Sequence, residues 1–248
     1  MSAIIHNRTY KALPTEQVKN VVVIGGSFGG YQAVKRLTET LPTGYRVVLV
    51  EKNSHLNYVF AFPRFSVVKG YEQDAFIPYT GLSKGASEGI FHQVQDTATQ
   101  VTERFVELKS GEKLEYTYLV IATGTSSKLP SKVASTEIET AQAELRGMQD
   151  KIQEAGRIAI VGGGAVGVEL ASDVKDFYPE KEVTLIHSRA HLLNTFGPRL
   201  QNHVAKILTD MDITLRLKER PNMTSQSNVL HFASGEQKQY DLIVRKLC

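Results

Sequence analysis

Val21-Val22-Val23-Ile24-Gly25-Gly26-Ser27-Phe28-Gly29-Gly30 sets four β-branched residues directly against a glycine-rich turn. A continuous apolar run that ends in glycine is the pattern of a parallel strand buried on both faces. The stretch from Tyr31 to Leu41 then places Ala33, Val34, Leu37 and Leu41 on one helical face, and Pro42 and Gly44 end it. Arg46-Val47-Val48-Leu49-Val50 is a second strand and stops at Glu51. Strand, turn, helix and strand together make one unit of a parallel α/β sheet.

The unit recurs. Arg157-Ile158-Ala159-Ile160-Val161 is followed by Gly162-Gly163-Gly164-Ala165-Val166-Gly167, a helix from Val168 to Phe177 that Pro179 ends, and a strand Val183-Thr184-Leu185-Ile186 that stops at His187. The two copies match almost residue for residue in length. The fold class expected is therefore α/β, built from two Rossmann-like dinucleotide-binding units. Between them, Phe105 to Leu108 and Lys113 to Tyr116 predict a hairpin across Gly111, and Tyr118-Leu119-Val120-Ile121 predicts a buried strand. Lys128 to Ser135 reads as a linker and Glu137 to Ala155 as a helix, with Thr136 and Glu139 as its capping box. Beyond the second unit, Leu200 to Met211 predicts an amphipathic helix and Ile213 to Leu217 a short strand. A final hairpin is expected about Ser234-Gly235, with Tyr240 to Val244 as its second arm.

Glycines at this spacing let the backbone turn tightly and approach a pyrophosphate, while the helix N-terminus offers N–H groups and the positive end of its dipole. Gly162, Gly164 and Gly167 complete the G-x-G-x-x-G pattern, with Ala165 and Val166 inside it. In the first copy Gly25 and Gly30 fill the ends, Gly26, Phe28 and Gly29 lie between, and Ser27 replaces the middle glycine. The residue that ends the second strand reads the adenosine ribose. Glu51, with Lys52 beside it, offers a carboxylate to both hydroxyls and favours an unphosphorylated ribose. His187 holds that place in the second copy, followed by Ser188 and Arg189. With no carboxylate to repel a 2′-phosphate and Arg189 able to pair with one, the reading leans to NADPH, with NADH alongside it. The plainer reading of Arg189 is a solvated loop cation.

Composition narrows the field. The 248 residues are 42% apolar and 22% charged, ordinary for a globular protein, and the 29 basic and 26 acidic side chains are spread without a dense basic run. Nucleic acid is therefore not an expected partner. The one cysteine, Cys248, rules out an intrachain disulfide and a dithiol relay within this chain. No apolar run reaches the ~20 residues of a membrane span. Residues 1–19 read as a loose leader, 20–127 as a first nucleotide domain and 128–248 as a second. The expected location is cytoplasmic, with mitochondrial as the alternative; Glu16 and the scarcity of Arg speak against a presequence. No metal site is expected.

The stretches Val21 to Gly30, Tyr118 to Gly124, Gly162 to Glu169 and Val183 to Arg189 resemble the pyridine-nucleotide-dependent flavoprotein reductases. They are most similar to the apoptosis-inducing-factor-like branch, the ferroptosis-suppressor type of NAD(P)H–quinone reductase. The stretch Asp176 to Ser188 is especially like that branch, and the resemblance runs from about Lys19 to Val244. It implies an FAD domain with an inserted NAD(P)H domain: FAD on Gly25, Gly30 and Glu51, and Ala122-Thr123-Gly124 where the chain crosses between the two. It implies hydride transfer from NADPH or NADH to FAD, then electron transfer to a small acceptor, a quinone. Glu169 would orient the nicotinamide or relay a proton, or simply favour the helix dipole. Arg64, in the aromatic loop Tyr58 to Phe65, would stabilise a reduced flavin, or the loop would pack as ordinary core.

The resemblance also implies a further Thr-Gly turn, a Gly-Asp motif and a C-terminal domain, whereas Arg245-Lys246-Leu247-Cys248 ends this chain. The expectation is a chain lacking the C-terminal part of the FAD domain and the C-terminal domain, with any peripheral membrane association residing in that missing part. Two functions then stand side by side, a reductase and a non-catalytic nucleotide-binding fragment.

Overall fold

The computed structural model describes residues 18–223 and 228–245; the expected leader's residues 1–17 and Cys248 lie outside them. The chain divides into two compact units, Met1–Leu56 with Ile77–Thr125, and Asn57–Phe76 with Ser126–Cys248. The last of the three breaks falls between Thr125 and Ser126. Segment 57–76, expected in the first domain, packs with the second unit.

In the first unit, β1 (Lys19–Ile24), helix α1 (Phe28–Thr40), β2 (Tyr45–Val50), β3 (Phe91–Val94) and β4 (Tyr118–Ile121) form a parallel sheet of order β3-β2-β1-β4. Alternation along the strands decides what covers each face. Val23, Val47 and Leu49 pack with Val34 of α1 and with Tyr79, Leu82 and Phe91. Val22, Ile24, Val48 and Val50 point the other way, onto Val106 and Leu108. Those two belong to a three-stranded antiparallel sheet of Ala98–Val101, Phe105–Leu108 and Lys113–Glu115. Covering on both faces is why β1 is apolar without interruption from Val21 to Ile24. Each Val or Ile so buried is worth about 1.5–3 kcal/mol.

The second unit repeats the plan. After α2 (Ile138–Glu154) come β5 (Arg157–Val161), α3 (Ala165–Phe177), β6 (Glu182–His187), α4 (Pro198–Asp210), β7 (Thr214–Leu217) and β8 (Leu242–Arg245). The parallel sheet has order β7-β6-β5-β8. Ile158, Ile160, Val183 and Leu185 meet Leu170, Ala171 and Val174 of α3 and Leu208 of α4. On the other face, Ala159 and Ile186 meet Leu230, Phe232 and Tyr240. Here too the covering layer is a three-stranded antiparallel sheet, Asn222–Met223, Val229–His231 and Gln237–Gln239.

Four expectations are corrected. Tyr118–Ile121 forms the expected strand but is not buried, with Tyr118 60% and Ile121 64% exposed. The final hairpin's second arm is Gln237–Gln239, not Tyr240 to Val244. Leu242–Arg245 instead pairs in parallel with Ile158–Val161, and the Asp241 carboxylate accepts from the Gly156 and Arg157 amides at 3.0 and 2.7 Å. Helix α2 has Glu137 as its N-cap and no side-chain cap, so the Thr136/Glu139 box does not form. The approach to that helix is held by Glu144, which accepts from the amides of Ala134 and Ser135 and from the Ser135 hydroxyl. Helices α1 and α3 start inside the glycine runs, at Phe28 and Ala165 rather than Tyr31 and Val168.

Segment 57–76 is bound into the second unit by apolar and polar contacts. Phe62, Ala75 and Phe76 pack on Ala141 and Leu145 of α2. The buried Gln149 amide donates to the Phe65 and Val68 carbonyls at 2.8 and 3.1 Å, which satisfies groups that burial would otherwise strand. Among the described residues no helix is long and apolar enough to cross a membrane.

A methyl added at Gly167 would overlap the Gly162 carbonyl oxygen, whereas one at Gly164 would meet nothing within 4 Å. G167A is therefore expected to lose about 1–3 kcal/mol or more of stability. G164A should lose less than about 1 kcal/mol. Thermal unfolding of the two variants checks this, and equal midpoints would contradict the packing argument.

Candidate functional site

In the first unit the turn is shaped by steric exclusion. Gly25 has φ 97° and donates its N–H to the Val50 carbonyl at 2.8 Å. A Cβ there would overlap the Ala122 carbonyl, and one at Gly30 would overlap the Gly25 carbonyl. Helix α1 thus sits hard against the end of β1, and Ala122, held by its N–H to Ile24 at 2.8 Å, closes the other side. Ser27, the exposed N-cap, makes no side-chain cap bond, and the first turn carries no acid. Its counterpart Gly164 faces open space, so Ser27 in place of the middle glycine obstructs nothing. The turn retains the room and the polarity that a pyrophosphate needs.

Glu51 follows β2 and is buried beside this turn. Its Oε2 accepts the Gly26 N–H at 2.5 Å, and its Oε1 accepts the N–H and side-chain amide of Asn53 at 2.9 and 2.7 Å. The Tyr79 hydroxyl donates to the Gly26 carbonyl at 2.9 Å. Burial first, then the charge of Glu51, push the Tyr79 phenol far above its ordinary range, so it stays a donor. Neither Asn53 nor Tyr79 was expected at the site. Lys52 is exposed beside Glu51, and Thr123 and Gly124 are exposed after Ala122, with Gly124 at φ 65°.

The second unit has the same turn with a different acceptor. Gly162 takes φ 132° and donates to the Ile186 carbonyl at 2.8 Å. The Gly163 N–H donates to Nδ1 of His187 at 3.1 Å. His187 stands where Glu51 stands, directly after the residue that pairs with the strand preceding the turn. Because Nδ1 accepts, a neutral ring carries its proton on Nε2, which is buried without a partner. Helix α3 starts at Ala165 with no acid in its first turn, so Glu169, exposed on the helix, lies beyond the reach of the dipole reading. Its role toward the nicotinamide stays a proposal.

A cleft of about 530 Å³ opens at this turn, lined by Gly162, His187, Ser188, Arg189, Asn194 and Arg220 among others. Sequence reasoning had Gly162 and His187 to Arg189, but not Asn194 and Arg220. Arg220 follows the third parallel strand, a position whose meaning depends on the pairing of β7 with β6. Arg64 is placed in the second unit, where Nε and Nη2 donate to Asp173 Oδ1 at 3.0 and 2.8 Å and the guanidinium lies 5.7 Å from the Phe177 ring centre. Burial outweighs this pairing and raises the Asp173 carboxyl above its usual range.

Burial first, then the charge of Arg189, hold the His187 imidazole below the usual histidine range. A folded-state value below the unfolded one, about 6.5, contributes stability that is present above that pH and is lost as pH falls through the folded value. Protonation of Nδ1 also removes the acceptor for Gly163. H187Q keeps an acceptor that does not titrate. Its unfolding midpoint is expected to fall less than that of the unaltered chain between pH 7 and pH 5, and superimposable pH profiles would rule out His187 as a source.

The family model for pyridine nucleotide-disulphide oxidoreductases matches residues 19–246. Fe-regulated protein 8 of Mycosarcoma maydis is 35% identical over 237 residues, which cover 87% of this chain and 60% of that protein. Ferroptosis suppressor protein 1 of Mus musculus is 34% identical over 225 residues, 89% of this chain and 57% of that one. The chain thus spans less than two thirds of the length of these relatives. Among solved structures, NDH2 from Plasmodium falciparum, in complex with NADH, superimposes with a TM-score of 0.72 at 15% identity, over 93% of this chain and 55% of that one, a likeness of fold. The chain belongs to the pyridine nucleotide-disulphide oxidoreductase family, whose cofactors, FAD and NAD(P)H, are those of its two dinucleotide units.

Proposed function

We propose that this chain works as an FAD-dependent NAD(P)H oxidoreductase with a quinone as electron acceptor. The observation that carries the assignment is the contrast at the end of the second strand: buried Glu51 in one unit, His187 followed by Arg189 in the other. Glu51 suits the unphosphorylated ribose of FAD, and the second turn suits NAD(P)H. The flavin, when bound, supplies the chemistry, accepting hydride from the nicotinamide and releasing electrons to the acceptor.

The residues of this chain bind and orient. Gly25, Gly30 and the amides that open α1 hold one pyrophosphate, with Ala122 and Thr123 closing that turn. Gly162, Gly167 and the start of α3 hold the other. Glu169 is the group offered to orient the nicotinamide or to carry a proton to a reduced acceptor. Arg64, already engaged by Asp173, is read as a brace of the second unit. The single cysteine in the sequence supports direct transfer from flavin to acceptor, without a dithiol relay in this chain. The quinone rests on the resemblance to ferroptosis-suppressor-type reductases, which the 34% identity to the mouse protein of that name supports.

The purified chain, reconstituted with FAD, is expected to show bound-flavin absorption that bleaches anaerobically with NADPH or NADH and returns on addition of a soluble quinone. A colourless protein after incubation with FAD would refute the reading for this chain. Bleaching without recovery on quinone would refute the acceptor alone.

A further inference from the structure

The cleft of the second unit is walled by the ends of neighbouring strands. His187 ends β6 and Ser188 and Arg189 follow it, while Glu219, Arg220 and Pro221 follow β7. Two main-chain hydrogen bonds fasten these loops together, Lys218 N–H to the Arg189 carbonyl and Glu219 N–H to the His187 carbonyl, both at 3.0 Å. Lys218 turns the chain there with φ 59°. Arg189 and Arg220 are both exposed on the cleft. Among the described residues neither takes part in an ion pair.

The one carboxylate in the lining, Glu219, is ion-paired with neither of them. It is held by Arg216, with Nε to Oε2 at 2.9 Å and Nη2 to Oε1 at 3.1 Å. Arg216 is also paired with Glu236. The wall beside the ribose-reading position therefore carries two guanidiniums outside any ion pair, on loops locked in register and beside His187. A guanidinium fork matches the oxygens of a phosphate monoester, and two such forks from separate strands fix its position as well as its charge.

We infer that Arg220, from the third strand, completes with Arg189 a clamp for the 2′-phosphate of the adenosine ribose, so that this unit selects NADPH over NADH. The inference rests on the proposed reading of the second unit as the NAD(P)H site. Arg220 is then a specificity-determining residue, separated in sequence from the glycine motif and joined to Arg189 only by the fold.

The test uses half-nucleotides, which report binding apart from electron transfer. Calorimetric titration of the full chain with 2′,5′-ADP and with 5′-AMP compares the phosphorylated and plain riboses. R220A should weaken 2′,5′-ADP by about tenfold and 5′-AMP by less than about twofold, with R189A following the same pattern. R199A, which removes an exposed cation on α4 outside the cleft, should change neither. An R220A variant that keeps its affinity for 2′,5′-ADP, or that weakens both ligands equally, overturns the clamp. So does an unaltered chain that binds both ligands equally, and in that case the nucleotide site itself survives. If the unaltered chain binds neither ligand, the reading of the unit as a nucleotide site falls, and the clamp with it.

Discussion

One close approach governs both units: a helix packed so tightly on the end of a strand that only hydrogen fits between them. At Gly30 and Gly167 an added carbon would overlap the carbonyl oxygens of Gly25 and Gly162. With the helix fixed in that place, its opening amides lie over the strand end, and the turn before them must adopt the positive φ found at Gly25 and Gly162. The next strand can then return only alongside, so its terminal residue falls beside the turn. The place of the residue proposed to read the ribose follows from that steric constraint.

What the two copies do with the arrangement differs at one atom. An amide of the turn needs an acceptor in each, and the first unit supplies a carboxylate oxygen while the second supplies an imidazole nitrogen. The hydrogen bond is conserved in geometry, but the charge around it is not. Glu51 brings a buried negative charge further stabilised by Asn53. His187, kept neutral by burial and by Arg189, brings none. A single fold thereby sets a carboxylate beside one turn and an uncharged imidazole beside the other.

Most of this plan was legible in the sequence. The strands before each turn are legible as unbroken apolar runs because both their faces are covered, and the glycines mark the points of close approach. The helices start earlier than the end of each glycine run suggests, because a helical first turn accepts glycine, as at Gly29, Gly30 and Gly167. The box at Thr136 and Glu139 failed because Glu144, almost two helical turns on, captures the preceding amides instead. Two antiparallel sheets that roof the parallel ones were seen only in part, since their strands are three or four residues long or shorter and half exposed. Tyr79 and Arg220 carry no local signal, because their places depend on distant strands in register, whereas Asn53 reaches Glu51 from only two residues on.

The excursion of residues 57–76 has a consequence for synthesis. The chain leaves the first unit after Leu56 to lay down Phe62, Ala75 and Phe76, whose covering residues Ala141 and Leu145 belong to α2. On the ribosome those aromatic rings emerge long before the helix that will bury them. The first unit cannot close as an uninterrupted N-terminal piece, and the second is not complete without residues made before the first is finished. The two nucleotide-binding halves therefore mature as one interleaved folding problem, and a cut at the visible boundary would leave each half carrying a torn surface.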